Sequence, residues 1–419
     1  MQAVIAIPET SARMSAQEIR ERMVRPICGI PLLTRTILTA ARSGAGRILL
    51  ICPGDLSEEL AQHVMQRPLL ERGVRIQVIR VNGFDPRVAS SWKTLEPWLE
   101  DRFLWLPWNW VTNKNSLRDL PRVEARSADW TKPAYPTACE LGGGHDYSEF
   151  SQRSQRGVAV ASPESVRRAE RFLIAHSGKA LDGIHTSFNR RICRPFVRLL
   201  SHTSVTPNTV TFGGVIVAAL SAIAFARGSY WYSVLGALLF YVAGLFDEMD
   251  GMLARIKFAE SPRGTWLEGF ADGLSYLLLF AGITVGLDRR YGKVAILMGV
   301  ALLLGAILAL ITTSLQRRRA TTPDRPNEYL GRFYELLEKD SGNRISRIVR
   351  QVQAFQRRGV IIYYVFLFTL VGALPLVFCL ATLGAHLTWI LTLYFNHRFF
   401  AQPLNIGPKR TVNTPKEAV

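Results

Sequence analysis

Apolar residues follow two different patterns along the chain. Up to about residue 180, short apolar runs alternate with mixed segments, and from Val210 onward the apolar runs are much longer. The short runs are rich in β-branched and aromatic residues and lie at 3–7, 47–52, 75–81, 102–107 and 157–161. Helices are predicted at 32–41 and 57–72, since a glycine closes each segment. Strands that alternate with helices are typical of an α/β domain with a mostly parallel sheet.

The second half contains six apolar runs of about 16 to 25 residues, a length that suits helices crossing a bilayer. They lie near 208–227, 230–247, 265–286, 291–315, 360–383 and 385–400. The predicted fold class is therefore multidomain, with an amino-terminal α/β domain and a carboxyl-terminal all-α domain of six transmembrane helices. The predicted segments are a soluble domain at 1–165, a linker at 166–206, the six-span domain at 207–402 and a cytoplasmic tail at 403–419.

The linker contains two predicted helices, at Pro163 to Leu173 and at His185 to His202. In the second, apolar residues recur every three to four positions on the side opposite Arg190, Arg194 and Arg198. That pattern favours an amphipathic helix on the membrane surface. A solvated helix packed on the soluble domain stays open, because Pro195 interrupts the register.

Lys and Arg exceed Asp and Glu by 51 to 33, a formal net charge of +18. Basic side chains lie before the first predicted span, between the second and third, and after the fourth, which is one side of the membrane if six spans alternate. We therefore expect a multi-pass protein of the inner or plasma membrane, with the amino-terminal domain in the cytoplasm and no signal peptide. Nucleic acid is not an expected partner. The five cysteines show no metal-like pairing and are expected to be reduced thiols.

Four acidic residues lie in or beside the second and third predicted spans: Asp247, Asp250, Glu268 and Asp272. An acidic side chain at the centre of a membrane helix costs roughly 2.5 to 3.5 kcal/mol. The spacings of three and four residues place each pair on one helix face. Four carboxylates on facing helices would repel one another unless they bind divalent cations. Salt bridges with nearby basic residues at the helix ends are the alternative, and a proton or ion path is another.

The stretch around these acids resembles the signature of the CDP-alcohol phosphotransferases, D-x2-D-G-x2-A-R-x8-G-x3-D-x3-D. Seven of the eight defined positions match, and Glu268 stands where the family has Asp. The Thr206-Pro207-Asn208 opening of the first span is also similar. The resemblance implies a membrane transferase that moves a phospho-alcohol group from a CDP-alcohol to an acceptor hydroxyl and releases CMP.

The resemblance also implies roles for individual residues. Two divalent ions, Mg²⁺ or Mn²⁺, would be held by Asp247, Asp250, Glu268 and Asp272, and Asp272 would act as general base. The CDP-alcohol would be bound by Gly251, Ala254, Arg255, Gly264 and Asn208. The glycines let a diphosphate approach the backbone, and Arg255 offers donors suited to phosphate oxygens. The family also implies a homodimer.

The prediction of catalytic activity depends most on Glu268, the one position of the motif that differs from the family. One extra methylene moves the carboxylate by about 1.5 Å, and metal sites are sensitive to displacements of that size. Retained activity, a changed metal preference and a non-catalytic relic are all open. The rival functions are therefore a membrane scaffold with a relic site and an ion-coupled transporter.

The amino-terminal half resembles the sugar-nucleotide and cytidylyl transferases more weakly, through the run Arg25 to Leu32. The Gly-rich triphosphate loop of that family is replaced at Pro8 to Arg13, and the expected metal-binding Asp is replaced within Pro107 to Trp110. A degenerate nucleotidyltransferase-like domain is therefore expected. Such fusions occur in enzymes that make inositol-phosphate phosphodiesters, which implies a phosphorylated polyol or a lipid as acceptor. The glycines at 142–144 are interpreted as a flexible loop. The connection at 316–358 is interpreted as a solvated cytoplasmic loop in which Tyr329 to Lys339 could form a helix, with contact to lipid or a partner as the alternative.

Overall fold

The computed structural model describes residues 2–7, 15–54, 56, 74–84, 89–100, 102–118, 123–124, 157–178, 184–320, 329–340, 342–352 and 358–400. Two compact units are interleaved in the sequence. The first comprises Met1–Leu181, Arg194–Val205 and Met252–Ala259, and the second comprises Asp182–Cys193, Thr206–Gly251 and Glu260–Val419. The predicted domain boundaries stay a prediction.

The first unit contains nine short strands and five α-helices within the described residues. The strands are β1 (Gln2–Ala6), β2 (Pro26–Ile27), β3 (Ile30–Pro31), β4 (Arg47–Cys52), β5 (Arg75–Arg80), β6 (Arg102–Pro107), β7 (Trp110–Thr112), β8 (Val123–Glu124) and β9 (Gly157–Ala159). The helices are α1 (Ala16–Val24), α2 (Leu32–Arg42), α3 (Ala89–Lys93), α4 (Lys114–Arg118) and α5 (Pro163–Ala175). A 3₁₀ turn at Glu96–Trp98 follows α3.

The central sheet has the strand order β5-β4-β1-β6-β8. Strand β1 runs parallel to β4 and β6, β4 runs parallel to β5, and only β8 is antiparallel to its neighbour β6. All five residues of β1 are buried, as expected for a central strand covered on both faces. Trp92 stacks on Phe103 at 5.6 Å between ring centroids and anchors the core on one face. The predicted mostly parallel α/β sheet is confirmed.

Local signals set the helix boundaries in this unit. Ser162 caps α5 by accepting a hydrogen bond from the backbone N–H of Ser165, and Ser165 bonds back to the Ser162 N–H. This reciprocal cap explains why α5 begins at Pro163, as predicted. Helix α2 ends at Arg42, one residue later than predicted. The predicted helix at 57–72, the run Pro8 to Arg13 and the glycines at 142–144 lie outside the described residues.

The remaining nine helices of the described residues belong to the second half of the chain. They are α6 (Ile184–Ser201), α7 (Pro207–Ala226), α8 (Tyr230–Ile256), α9 (Pro262–Tyr291), α10 (Lys293–Ala320), α11 (Tyr329–Lys339), α12 (Arg344–Val352), α13 (Arg358–Leu370) and α14 (Leu374–Phe399). Five of them, α7 to α10 and α14, are long and apolar enough to cross a membrane. The chain is therefore an integral membrane protein with five candidate spans among its described residues.

The last part of the predicted span pattern was wrong. The chain breaks at 371–373, inside the predicted run 360–383, and continues as a single helix through the predicted break near residue 384. Gly372 adopts a left-handed φ of 73°, and Pro375 lies in the first turn of α14, so both residues favour a boundary here. With 13 residues, α13 is about 20 Å long, shorter than a hydrocarbon core of about 30 Å.

Helices α7 and α9 pack closely and run parallel. Ala222 and Phe225 of α7 lie against Gly282 and Gly286 of α9, where a Cβ atom on either glycine would collide with the α7 backbone. Small residues at such contacts let membrane helices approach each other. Asn208, at the start of α7, lies beside Gly264, at the start of α9. The carboxylate-bearing turns of α9 therefore lie alongside the first turns of α7.

Candidate active site

Asp247 and Asp250 lie one helical turn apart on α8, and Glu268 and Asp272 lie one turn apart on α9. Helix α9 begins at Pro262 because Ser261 caps it, with its Oγ accepting a hydrogen bond from the Gly264 N–H at 3.0 Å. This cap sets where the first turn starts. Both acids of α9 therefore fall within its first three turns.

The structure brings the four predicted acids together. The carboxylate of Asp247 is close enough to be repelled by those of Asp250, Glu268 and Asp272, and Asp250 is also repelled by Glu268 and Asp272. Spacing along one helix could not establish this, because it depends on how α8 and α9 face each other. The sequence interpretation of two acidic faces turned together agrees with the arrangement.

Asp250 is the most buried of the four acids, with 4% of its surface exposed. Its Oδ2 accepts a hydrogen bond from the Oγ1 of Thr211, which lies in the first turns of α7. A hydrogen bond to a buried carboxylate both satisfies it and fixes its rotamer. Sequence reasoning missed Thr211. The signal was its position four residues after Pro207, on the same face of an otherwise apolar helix.

A fifth carboxylate, Glu248, also interacts with Asp247. Its Oε2 lies 3.2 Å from the Nε of Arg190, and the two side chains are only 20% and 11% exposed. The pair offsets the added negative charge next to the four acids. The sequence places Arg190 on the side of its helix opposite the apolar residues, and in the structure this residue is buried and paired.

Other contacts within the second unit explain why this side of α6 is buried. The Asn189 Oδ1 accepts hydrogen bonds from the hydroxyls of Tyr241, at 3.1 Å, and Tyr363, at 2.5 Å. The Cys193 Sγ donates to the Leu245 carbonyl at 3.5 Å. The buried residues of this helix therefore include polar Asn189 and Arg190 as well as Cys193 and Val197, whereas Arg194 and Arg198 are exposed. Its predicted apolar stripe points outward, with Phe188, Phe196 and Leu199 exposed.

The residues predicted to bind the CDP-alcohol divide into two groups. Asn208 and Gly264 are adjacent, since a Cβ on Gly264 would lie 3.9 Å from the Asn208 Oδ1, and Gly251 follows Asp250 directly on α8. Ala254 and Arg255 occupy the last turn of α8 and fall in the first unit. There the Arg255 Nε donates to the carbonyl of Ser177.

Arg317, in the last turn of α10, is a cation that sequence reasoning did not single out. Its Nη1 would lie 3.8 Å from a Cβ on Gly269, which follows Glu268 on α9. An arginine beside the acidic turns of α9 has the right chemistry to contact phosphate oxygens. The only available signal was the Arg-rich end of the fourth apolar run.

The donor set fits hard divalent cations. All four side chains offer carboxylate oxygens, the ligands preferred by Mg²⁺ and by Mn²⁺, and their mutual repulsion calls for a compensating positive charge. Among the described residues, no group of three or more Asp, Glu, His or Cys side chains is already arranged with converging ligand atoms. A metal would therefore require rotamer adjustment of these carboxylates.

Comparison with known proteins agrees with this site. Residues 204–394 match the family model described as CDP-alcohol phosphatidyltransferase. The Bifunctional IPC transferase and DIPP synthase of Rubrobacter xylanophilus is 24% identical over 373 residues, covering 74% of this chain and 82% of that protein. The protein of the same name from Thermococcus kodakarensis is 24% identical over 62% of this chain and 60% of its own length. The Archaetidylinositol phosphate synthase of Methanothermobacter thermautotrophicus is 31% identical over 98 residues, 23% of this chain and 49% of that protein.

The α/β sheet followed by apolar helices with an acidic cluster defines a multidomain membrane protein with a polar site in its helical half. The family match covers that cluster, so the carboxyl-terminal half is a CDP-alcohol phosphatidyltransferase domain. The chain therefore carries a domain of this family, and it is similar over most of its length to a protein named as a transferase and synthase. The alignment with the Rubrobacter protein is longer than the family match, so the similarity extends into the amino-terminal half.

Proposed function

We propose that the protein transfers a phospho-alcohol group from a CDP-alcohol to an acceptor hydroxyl and releases CMP. The acceptor oxygen attacks the phosphorus that carries the alcohol, the bond from that phosphorus to the CMP oxygen breaks, and the acceptor proton leaves to a base. The observation that carries this proposal is the proximity of the carboxylates of Asp247, Asp250, Glu268 and Asp272, which two helices inside the family-matched region bring together.

Asp247, Asp250 and Glu268 are proposed as the main ligands that would hold two divalent ions, with Asp272 close enough to share a metal. Bound Mg²⁺ or Mn²⁺ would neutralise the diphosphate and stabilise CMP as it leaves. The chain itself orients these side chains, because the Thr211 hydroxyl holds one oxygen of Asp250 and Arg190 forms an ion pair with the neighbouring Glu248. These contacts restrict where the acids can point.

Asp272 is proposed as the general base that takes the proton from the acceptor hydroxyl. It lies one turn beyond Glu268 and interacts with the carboxylate of Asp247. Neighbouring negative charges favour proton uptake by a carboxylate, which is the property a base needs. The longer side chain of Glu268 leaves this role unchanged, because it alters the ligand one turn earlier.

The proposed donor contacts are Asn208, Gly264 and Gly251, with Ala254 and Arg255 one helical turn further along α8. Gly264 has no side chain beside Asn208, so a ribose or diphosphate can approach the backbone at the start of α9. For the acceptor we propose a phosphorylated polyol or a lipid alcohol. The names of the relatives, which include an Archaetidylinositol phosphate synthase, support that class.

We propose that the amino-terminal domain does not transfer nucleotides. At the end of β6, where the related transferases carry a metal-binding Asp, Trp108, Asn109 and Trp110 are all buried. Asn109 donates to the Val160 carbonyl at 3.2 Å, and the Trp110 ring packs against Gly157. These residues are used for packing, which favours a scaffolding or regulatory role.

The run that resembles the nucleotidyltransferases forms the hairpin β2–β3, and its surroundings are also structural. The backbone N–H of Cys28 lies 3.5 Å from the buried carboxylate of Glu170, which also binds Arg198 at 3.2 Å and His202 at 3.0 Å. Burial lowers the pKa of Arg35 to about 10, so this guanidinium stays charged near neutral pH and interacts with Glu170. A cytoplasmic location of this domain and a homodimer are proposed from the charge distribution and the family.

The test uses purified protein in detergent with CDP-diacylglycerol or a CDP-polyol, Mg²⁺ and a panel of alcohols, and it follows CMP release. Asp272→Asn is expected to abolish the release. Asp288→Asn is the matched control, because it makes the same change on the same helix about 24 Å away. Equal activity of both variants would remove Asp272 from the mechanism. Absence of CMP with every donor would favour the scaffold, and proton flux across liposomes containing the protein, without CMP release, would favour the transporter.

A further inference from the structure

Helices α11 and α12 form a hairpin in the long connection between α10 and α13. The hairpin is fastened to the end of α14 by two side-chain contacts. Asp340 forms a two-pronged ion pair with Arg398, at 2.7 and 2.8 Å, and the Asn343 Nδ2 donates to the Tyr394 hydroxyl at 2.7 Å. The Ser346 Oγ donates to Asp340 at 2.6 Å, so the start of α12 is held at the same point.

This point lies where the surface of α14 changes from apolar to basic. Leu387, Ile390 and Leu393 are exposed along the helix, and the next exposed residues are His397 and Arg398. In a spanning helix, such a change marks the boundary between acyl chains and headgroups.

Helix α10 repeats the pattern at its own end. Leu315 is exposed, and Arg317, Arg318 and Arg319 follow in the last turn. The Arg332 Nη1 of α11 donates to the carbonyl of Ala320 at 3.1 Å. The hairpin is therefore tied at membrane-surface height by both of these spans.

Helix α12 has three different faces. Ser346 is buried, and the Arg350 Nη2 donates to the Leu337 carbonyl at 3.0 Å, so this face contacts the protein. Ile345 and Ile348 form an apolar face and are 38% and 59% exposed. Arg347, about 100° or more around the helix from both isoleucines, is also exposed. The helix contains no acidic residue.

We propose that α12 is a membrane-surface helix that binds anionic lipid. Ile345 and Ile348 insert at the level of the upper acyl chains, and Arg344 and Arg347 contact headgroup phosphates. The position at the apolar-to-basic boundary and the purely basic charge of the helix both fit an anionic bilayer. A second copy of this chain would present the same basic helix and repel it.

The test measures the depth of α12 in the intact protein. Ile348→Cys is labelled with an environment-sensitive fluorophore in a background where Cys139 and Cys379 are Ala, because Cys28, Cys52 and Cys193 are buried. The protein is placed in nanodiscs of phosphatidylcholine alone or of an equal mixture with phosphatidylglycerol. Quenching is measured with spin-labelled lipid and with aqueous iodide. Arg347→Cys on the same helix is the matched control.

Lipid quenching of the Ile348→Cys label should exceed that of the Arg347→Cys label by about twofold or more, with iodide showing the reverse order. The lipid quenching should increase when phosphatidylglycerol is present, and Arg344→Gln with Arg347→Gln should remove that increase. Equal iodide quenching at both positions would overturn the proposal. Protection from both quenchers would also overturn it, since a protein would then cover the face. Neither readout requires transferase activity.

Discussion

Replacing Arg190 with Met removes the partner of Glu248 and leaves a carboxylate with little exposure beside the acidic cluster. At 3.2 Å the attraction between the two charges is about 5 kcal/mol with an effective dielectric constant near 20. Desolvation of both groups offsets much of this in the intact pair. Removing one partner of a buried pair nevertheless costs about 3 to 5 kcal/mol, because the other charge stays buried. Since both side chains keep some exposure, we expect the lower end, about 3 kcal/mol.

The measurement is the free energy of unfolding of the purified protein in mixed micelles with increasing SDS, followed by circular dichroism. Arg191→Met is the control on the same helix, and since Arg191 is exposed we expect a change within about 0.5 kcal/mol. Adding Glu248→Gln to Arg190→Met should recover most of the lost stability. A cost no larger than that of Arg191→Met, or a double variant as unstable as Arg190→Met, would refute the reasoning.

Three further predictions follow from single contacts. Glu268→Asp should shift the Mg²⁺ and Mn²⁺ concentrations that give half-maximal CMP release, whereas an unchanged metal profile would show that Glu268 is not a ligand. Thr211→Val should destabilise the fold by about 1.5 to 3 kcal/mol in the same micelle assay, because Asp250 loses a hydrogen bond, and Thr211→Ser should not. The hydrogen bond from Arg398 holds the pKa of Asp340 well below its usual range, so this anchor contributes stability above about pH 4 and is lost in stronger acid. The Ile348→Cys label should therefore keep its lipid quenching down to about pH 4, whereas Asp340→Asn should reduce it at every pH.

Much of the fold was predictable from local patterns. The strands at β1, β4, β5, β6 and β9 were predicted because each is a short apolar run closed by turn residues. The first four spans were predicted because their hydropathy is continuous over a membrane-crossing length. The break near Gly372 was misplaced, since both sides of it are equally apolar and hydropathy alone does not mark the boundary that Gly372 and Pro375 favour.

The acidic pair on each helix was predictable from the sequence, whereas the meeting of the two pairs was not. A spacing of three or four residues places two acids on one helix face whatever surrounds the helix, so each acidic pair was available from the sequence. Whether the two pairs meet depends on how α7, α8 and α9 pack against one another. That packing includes the contact of Gly282 and Gly286 of α9 with α7, outside the acidic motif itself. Thr211 and Arg317 were missed for the same reason, because their roles come from neighbours on other helices.

The sequence by itself determined the class of this protein: a parallel α/β half, an apolar helical half, and an acidic motif with the residue types that a CDP-alcohol phosphotransferase needs. These features depend on local periodicity and composition, which one chain segment carries alone. Only the tertiary structure decided that Arg190 of α6 is buried and bound to Glu248, and that α12 is held at the end of α14 through Asp340. An amphipathic pattern defines the faces of a helix, and the neighbours that pack on it decide which face is buried.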